Sequence, residues 1–294
     1  MAGRLPKPLN PGDTLGVCAP SGAVPLDRFD QGVTVLLDMG FHVVVSGGVY
    51  EKKRYLAGDD LRRARDLNDL FADPGIDGIV CARGGFGALR MLAGVDYSQI
   101  MRNPKRLAGF SDSTALLTAI QIRTGLAVIH GPVVTSLADA GSETLASLFR
   151  ALTSDLDGVI AKADKIIVRG AARGILTGGN LATLSHLTGT PFQPDCTGAV
   201  VFLEDVSEPP YKIDRMLTHM KLAGVFDGIA GIVTGSFENC GSLDEIHEIV
   251  SEIFMDMEVP VMAGVASGHG PVNLSLPFGI DVAMDTESLT VRSV

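Results

Sequence analysis

The chain has 294 residues, of which 46% are hydrophobic and 20% are charged. That length is enough for a large buried core and favours two domains, with one large domain as the alternative. The 34 acidic and 24 basic residues give a formal net charge of −10, which disfavours extended contact with nucleic acid or an anionic membrane. No apolar run approaches the roughly 18 residues that a membrane-spanning helix needs, so we expect a soluble globular protein.

The N-terminal segment and the cysteines both favour a cytoplasmic location. MAGRLPKPLNPGD contains no apolar stretch of the kind that marks a secretory signal. No two cysteines form a C-x-x-C pair, which disfavours a zinc ribbon or a redox dithiol, and we expect reduced thiols used as small core residues. These cysteines are Cys18, Cys81, Cys196 and Cys240. The six histidines form no H-E-x-x-H pattern, so we predict no bound metal.

The first half of the chain alternates short apolar runs with amphipathic segments. The apolar runs are TLGVCAP, HVVVS, IDGIVCA, KRLAGF and AVIHGP, and the segments between them include FDQGVTVLLDMG, LRRARDLNDLFAD and TALLTAIQIRTG. Glycine and proline mark the ends of the runs, as turns require. This alternation predicts βαβ units around a mostly parallel sheet.

The pattern loosens after Ser136, and we place a domain junction there. We predict an N-terminal domain over residues 1–140, a linker region over 141–164 and a C-terminal domain over 165–294. The last part contains the apolar runs KIIVRG, RGILTGG, GAVVFLED, GIAGIVTG and VPVMAGV, and two helical segments separate some of them. The final residues, IDVAMDTESLTVRSV, predict a hairpin that turns at 285–288. The second domain is therefore predicted to be mixed α/β.

Two nucleotide-binding motifs are missing from the sequence. There is no G-x-x-x-x-G-K-[ST] phosphate loop, and the glycine cluster RGGFGALR at 83–90 lacks the third glycine of the dinucleotide fingerprint. Kinase and dehydrogenase functions are thereby disfavoured. We predict no cofactor.

The segment GFSDSTALL at 109–117 places Ser111 between an apolar run and a predicted helix that begins at Asp112. Serine and aspartate are preferred N-cap residues, so a purely structural role is one interpretation. The other is a nucleophile presented on a tight strand–turn–helix elbow. GFSDS matches the G-x-S-x-G pattern of such elbows only in part. The segment alone leaves both interpretations open.

A carboxylate and a histidine farther along the chain could complete a nucleophilic site. Glu204 ends the run GAVVFLED on the same strand face as Phe202, and Asp205 points to the opposite face. His269 lies between two glycines in the loop ASGHGPVNLSLPFG, and loops held by strands often carry catalytic side chains. The other five histidines and Asn180, a predicted N-cap, are interpreted as structural or solvated. A surface strand end remains the alternative for Glu204.

Six segments together resemble the LD-carboxypeptidases, serine peptidases of the muramoyltetrapeptide carboxypeptidase type. The resemblance runs nearly end to end. Its segments are APSG after the first strand, RGGFGALR, GFSDSTAL, GGNLATLSHLTGTPF, FLEDVSEPPYKIDRML and GHGPVNLSLPFG. It implies a Rossmann-like N-terminal sandwich with a mostly parallel sheet, joined to a smaller swivelling-type, β-rich mixed α/β domain. It also implies a homodimer.

The resemblance further implies a catalytic triad of Ser111, Glu204 and His269, with the serine in the N-terminal domain. The expected reaction removes the terminal D-alanine from a muropeptide tetrapeptide during cytoplasmic peptidoglycan recycling. A sister branch hydrolyses peptidyl-nucleotide antibiotics of the microcin type and tends to carry tryptophan for stacking. This chain has no Trp, which favours the muropeptide. The remaining alternative is a muropeptide-binding protein without catalysis.

Further roles follow from this expected mechanism. The oxyanion of the tetrahedral intermediate would be held by the backbone N–H of Asp112 and by one from the Gly84–Gly85 loop, for which we name Gly85. Arg83 and Gly84 would contact the substrate, with Arg83 pairing with its free carboxylate. A structural ion pair is the alternative for Arg83.

Overall fold

The computed structural model describes residues 3–294, which fold into two β-sheets flanked by helices. The strands are β1 (Thr14–Cys18), β2 (His42–Val45), β3 (Gly78–Cys81), β4 (Arg106–Gly109), β5 (Val128–His130), β6 (Val159–Lys162), β7 (Lys165–Val168), β8 (Ala171–Asn180), β9 (Ala199–Val206), β10 (Gly231–Glu238), β11 (Val261–Ala263), β12 (Leu276–Phe278), β13 (Asp281–Asp285) and β14 (Thr290–Ser293). The helices are α1 (Leu26–Asp38), α2 (Asp60–Ala72), α3 (Ala88–Met91), α4 (Tyr97–Arg102), α5 (Thr114–Thr124), α6 (Val134–Leu137), α7 (Ser142–Thr153), α8 (Leu181–Leu187), α9 (Pro210–Leu222) and α10 (Leu243–Phe254).

The first sheet has the strand order β12-β5-β4-β3-β1-β2. Strands β1 to β5 pair in parallel, as the alternating apolar runs predict. Neighbouring residues of one strand point to opposite faces, so Ile79 and Val80 of β3 belong to two different apolar clusters. One cluster includes side chains of α1 and α7, and the other includes those of α2 and α5. Both faces of the central strands are therefore covered, which explains why β3 and β4 are fully buried.

The second sheet has the strand order β6-β14-β13-β8-β9-β10-β11-β7. Strands β8 to β11 are parallel at its centre, and antiparallel strands complete both edges. Strands β13 and β14 form the predicted C-terminal hairpin. The predicted class, a Rossmann-like sandwich joined to a mixed α/β domain, is confirmed.

The chain crosses between the two sheets more than once. β12, near the C-terminus, pairs antiparallel with β5 of the first sheet, with Leu276 opposite His130. The region 141–164, predicted as a linker, contains α7 and the edge strand β6. The domain limits at 140 and 165 stay a prediction.

Helix α5 joins the two halves of the molecule. It contacts α8 and β8, and one apolar cluster runs without a break from the first sheet into the second. The fit is close, because a methyl group on Gly179 would lie 2.6 Å from Thr114 Cγ2. The backbone N–H of Asn180 also donates to Thr114 Oγ1 at 3.2 Å. The segment that follows Ser111 is thereby fixed beside the ends of β8 and β9.

The cysteines and Asn180 belong to the structural framework of the protein. All four cysteines are buried and free. Asn180 caps α8, since its Oδ1 accepts the N–H of Thr183 at 3.0 Å. None of the helices within residues 3–294 combines the length and the apolar character needed to cross a membrane.

Candidate active site

Ser111 lies on a sharp turn between β4 and α5. Its φ angle is +60°, in the left-handed region that residues other than glycine rarely adopt. A 3₁₀ turn spans Ser111–Ser113 and α5 begins only at Thr114, so the helix starts two residues later than predicted. No side chain caps either the turn or α5. The N-cap interpretation therefore finds no support, and such local strain is typical of functional sites.

The glycine loop after β3 lies directly against Ser111. A methyl group on Gly84 would come within 3.0 Å of Ser111 Oγ and 3.7 Å of the Asp112 backbone nitrogen. The carbonyl of Gly84 accepts the N–H of Gly22 at 3.0 Å, which holds the loop in place. Within residues 3–294 the backbone N–H groups of Gly85 and Asp112 donate to no other backbone acceptor.

The side chain of Asp112 ties this loop to the serine turn. It is buried, and its Oδ2 accepts the backbone N–H of Ala88 at 2.8 Å. Burial raises the pKa of Asp112, against the lowering effect of its hydrogen bonds. Ala88 follows the glycine loop at the start of α3, so the carboxylate connects the two segments that flank the hydroxyl of Ser111.

Glu204 and His269 form a hydrogen-bonded pair. Nδ1 of His269 lies 2.7 Å from Oε2 of Glu204, and Glu204 is completely buried. A carboxylate can only accept, so Nδ1 carries the proton and Nε2 faces away from Glu204. Burial lowers the pKa of His269, but the hydrogen bond and the negative charge of Glu204 outweigh it, and the pKa is raised.

Glu204 and Asp205, near the end of β9, point to opposite faces of the strand, as period-2 geometry predicts. Asp205 accepts hydrogen bonds from Asn180 Nδ2 at 3.0 Å and from the backbone N–H of Ala182 at 2.9 Å. Burial raises the pKa of Asp205 to about 6, and the nearby charge of Glu204 adds to this effect. Asp205 thus holds α8, while Glu204 is left to hold the histidine.

The loop that carries His269 is shaped by glycine and by two polar residues that the sequence analysis missed. Gly268 has a φ of +114°, and a methyl group there would lie 2.5 Å from Glu204 Oε2. Its N–H donates to Asn273 Oδ1 at 3.0 Å, and the N–H of Gly270 donates to Ser236 Oγ at 3.0 Å. The position of Ser236 at the end of the apolar run GIVTGS was the available indication.

Phe110 links the serine turn to the histidine. Its ring centroid lies 4.7 Å from that of the His269 imidazole, and Ser111 is the next residue in the chain. The structure therefore joins Glu204 to His269 directly, and Phe110 packs against the imidazole. Within residues 3–294 no hydrogen bond joins Ser111 to His269. The three predicted triad residues come from β9, from the loop before β12 and from the turn after β4.

His130 lies close to this group but has a different environment. It is completely buried, and its ring centroid lies 5.2 Å from that of Phe278 and 5.3 Å from that of Phe202. Neither ring nitrogen has a hydrogen-bond partner within residues 3–294. Burial lowers the pKa of His130 to about 4, so the ring is neutral at physiological pH. This supports the structural role interpreted for it.

Arg83 lies at the start of the glycine loop and forms no salt bridge with any residue of 3–294. Its Nη1 donates to the carbonyl of Ala23. The ion-pair alternative therefore finds no support. No group of three or more side chains suited to metal binding comes together in the described part of the chain.

Comparisons with known proteins match most of the chain. The profile of the LD-carboxypeptidase N-terminal domain matches residues 15–131, and that of the LD-carboxypeptidase C-terminal domain matches 173–284. A probable murein peptide carboxypeptidase of Bacillus subtilis is 35% identical, covering 97% of this chain and 92% of its own. A murein tetrapeptide carboxypeptidase of Pseudomonas aeruginosa is 31% identical, with 94% of each chain covered.

A solved structure, an MccF-like protein from Bacillus anthracis, has a TM-score of 0.91 at 27% identity and covers 99% of both chains. The fold and these matches define a carboxypeptidase of the serine-peptidase class. The chain belongs to the LD-carboxypeptidase family, as its motifs indicated.

Proposed function

We propose that this protein hydrolyses the L,D-peptide bond to the terminal D-alanine of murein tetrapeptides. The observation that carries the proposal is the 2.7 Å hydrogen bond from His269 to buried Glu204. The His269 ring packs against Phe110, which precedes Ser111 and its left-handed turn. The names of two relatives, a murein peptide carboxypeptidase and a murein tetrapeptide carboxypeptidase, support the substrate.

The proposed reaction uses Ser111 as the nucleophile and His269 as the general base. Glu204 fixes the tautomer of His269, so that Nε2 takes the proton as Ser111 Oγ attacks the carbonyl carbon of the third residue. His269 then gives this proton to the amine of the departing D-alanine. Water, deprotonated by His269, attacks the resulting ester and releases the shortened peptide, which restores the free serine.

Charge develops on the carbonyl oxygen during both steps. We assign its stabilisation to the backbone N–H groups of Asp112, which follows Ser111, and of Gly85, which follows the Gly84 that contacts Ser111. Within residues 3–294 neither N–H group donates to a backbone acceptor. One such donor contributes about 2.7–4 kcal/mol in comparable sites. Arg83 is assigned to the free carboxylate of D-alanine, with Gly84 in contact with the substrate. Such a pairing explains why the enzyme would cut only at a chain end.

The test compares two serine variants from the same turn. Ser111→Ala is expected to abolish D-alanine release from a murein tetrapeptide, as measured by chromatography of the products. Ser113→Ala is the matched control, because Ser113 is buried and its hydroxyl has no partner within residues 3–294. Its loss should leave turnover nearly unchanged. Tetrapeptide binding without turnover by the wild type would favour a binding protein instead.

A peptidyl-nucleotide hydrolase is the second candidate, and the likeness to the MccF-like structure favours it. Such an enzyme would cleave an aminoacyl sulfamoyl nucleoside at its amide. Measuring kcat/KM on this substrate and on the tetrapeptide, with the same preparation, decides between them. We expect the tetrapeptide to be preferred.

The recycling role, the cytoplasmic location and the homodimer remain part of the proposal. Light scattering coupled to size-exclusion chromatography tests the homodimer. Fractionation of cells that express the full chain tests the location.

A further inference from the structure

Two loops lie one behind the other beside Ser111. One follows β1 (residues 19–22, the β1 loop) and the other follows β3 (residues 83–87, the glycine loop). The N–H of Gly22 donates to the carbonyl of Gly84 at 3.0 Å, and a methyl group on Gly84 would come within 3.0 Å of Ser111 Oγ. A shift of either loop would therefore be passed on to the serine.

One buried arginine bonds to both loops. Arg63 lies in α2 and is only 2% exposed. Its Nη1 donates to the carbonyl of Pro20 in the β1 loop and to the carbonyl of Gly87 in the glycine loop, the latter at 2.7 Å. A methyl group on Gly87 would lie 2.7 Å from this nitrogen, so the close approach requires glycine. A single guanidinium nitrogen thus sets the spacing of the two loops.

The other terminal nitrogen of Arg63 holds the guanidinium in place. Nη2 donates to Oδ1 of Asp60, and Oδ2 of Asp60 accepts from Nη2 of Arg90 in α3 at 2.8 Å. The hydrogen bond from Arg90, aided by that from Arg63, lowers the pKa of Asp60, so this carboxylate is charged at physiological pH. The ion pairs therefore connect α2 to α3, the helix that begins directly after the glycine loop.

The charge of Arg63 also acts on the serine turn. Burial raises the pKa of Asp112, and the positive charge of Arg63 is among the effects that oppose this rise. The ionised form of Asp112 is the better acceptor for the N–H of Ala88, the first residue of α3. Arg63 thus supports the same contact between the glycine loop and the serine turn from a second direction.

Arg63 is too deeply buried to contact a substrate. A cavity of about 540 Å³ opens beside the glycine loop and is lined by Arg83 and Gly85, but Arg63 does not line it. Burying a guanidinium is costly unless its donors are paired, and a buried ion pair often adds little to stability. The specific product of this buried charge is the geometry that it imposes on the two loop carbonyls.

We propose that Arg63 is a positioning residue for the reaction, an inference that rests on the proposed function. By holding both loops it fixes Gly84 against Ser111. It also sets the position of the Gly85 N–H, which is assigned to the oxyanion. Displacements of about 1 Å at a reacting centre can cost about 10²-fold in rate. Because Arg63 acts through backbone donors that matter most in the transition state, its loss should lower kcat and leave KM nearly unchanged.

The experiment compares two buried arginines in the full chain. Arg63→Met removes the charge and the donors but keeps a long side chain, whereas Arg63→Lys keeps a charge without the planar fork. Arg106 is the matched control, because it is 1% exposed and lies at the start of β4, whereas Ser111 follows the end of that strand. Its guanidinium also donates to backbone carbonyls, those of Pro6, Ala151 and Ser154.

The two arginines should give different kinetics. We expect Arg63→Met to lower kcat for D-alanine release about 10²-fold with little change in KM. Arg63→Lys should regain about tenfold of this loss, because its ammonium can bond to some of the same acceptors. Arg106→Met and Arg106→Lys should unfold at lower urea concentration but keep the kcat of the wild type. Urea unfolding gives the folded fraction, so that each kcat refers to folded protein.

Asp60→Asn tests the same role without a substitution in the core, since the side chain of Asp60 is one third exposed. Arg63 would lose the charged partner that orients it, and kcat should fall about threefold at unchanged KM. Asp244→Asn is the matched control. The carboxylate of Asp244 pairs with Lys165 and, within residues 3–294, bonds to neither loop.

The outcomes separate this inference from the proposed function. A kcat within about twofold of wild type in Arg63→Met would overturn the positioning role, and so would equal losses of kcat in the Arg63 and Arg106 variants. If Arg63→Met does not fold, an unchanged kcat in both Arg63→Lys and Asp60→Asn overturns it. In each case D-alanine release by the wild type leaves the proposed function standing. No release by the wild type would contradict the proposed function, and the positioning role would fall with it.

Discussion

The carboxylate of Glu204 and the imidazole of His269 are hydrogen-bonded at 2.7 Å, although 65 positions separate them in the chain. If this pair orients the base, Glu204→Gln should lower kcat by about 10³–10⁴-fold, because an uncharged amide neither enforces the tautomer nor stabilises the imidazolium. The fold should persist, since glutamine has nearly the same volume. Steady-state kinetics measures the loss of kcat, and circular dichroism tests whether the fold is retained. A kcat within tenfold of wild type would contradict the orienting role.

The pH dependence of activity should show the influence of Glu204 on His269. The pKa of His269 is raised above its ordinary value of 6.5, and only the neutral imidazole can accept the proton of Ser111. Activity should therefore rise with pH through a midpoint above 6.5 in a profile of kcat/KM. In Glu204→Gln, which loses the negative charge, the midpoint should move to lower pH. An acid limb at or below 6.5 in the wild type would argue against the pairing.

The contact between Gly84 and Ser111 leaves no room for a side chain. A methyl group at position 84 would lie 2.9 Å from Ser111 Cβ, so Gly84→Ala must displace the serine or the loop. Displacements of about 1 Å at a reacting centre can cost about 10²-fold in rate, and we expect at least this loss in kcat. Gly141→Ala is the matched control, since nothing lies within 4 Å of its added methyl group. Equal activity of the two variants would contradict a role for this contact.

The carboxylate of Asp112 is expected to act as a positioning group. Asp112→Ala removes the acceptor for the Ala88 N–H, so the glycine loop should become less well placed and kcat should fall about 10- to 100-fold. KM should change little. Asp112→Asn keeps an oxygen that can accept this hydrogen bond and should recover most of the activity. A rise in KM at constant kcat, or no recovery in the asparagine variant, would indicate a different role.

His130 should make the fold sensitive to acid. Its pKa is about 4 in the folded protein and near 6.5 when the chain is unfolded, so the unfolded state binds more protons between these values. The free energy of unfolding is therefore highest with respect to His130 above pH 6.5. It decreases as the pH falls towards 4, by up to about 3 kcal/mol.

The matching variant is His130→Phe, which keeps an aromatic ring among Phe110, Phe202 and Phe278. Urea unfolding at pH 7 and at pH 4.5 measures the acid-induced loss in both proteins. We expect a smaller loss in the variant, because phenylalanine cannot bind a proton. An identical loss would show that other groups cause the acid sensitivity.

Much of the fold and part of the site could be predicted from local patterns. The alternation of apolar and amphipathic segments indicated the parallel strands β1 to β5, and period-2 geometry placed Glu204 and Asp205 on opposite faces. The cap formed by Asn180 followed from residue type and position. These features leave a pattern in residues that are close in sequence.

Other features depend on tertiary contacts that have no local pattern. β12 is a three-residue strand, and nothing in LPF indicates that it pairs with β5 instead of with a neighbour in sequence. The left-handed turn at Ser111 has no sequence marker, because glycine usually occupies such positions. The bonds from Ser236 and Asn273 to the histidine loop likewise join separate elements.

The return of β12 to the first sheet also restricts how the molecule can move. The loop carrying His269 is anchored on one side by β10, through Ser236, and on the other by the β12–β5 pairing. A wide hinge opening between the two sheets would have to break the β12–β5 hydrogen bonds. A chain truncated before residue 276 would lack β12 and would leave the edge of β5 unpaired. That edge could then pair with a strand of another copy.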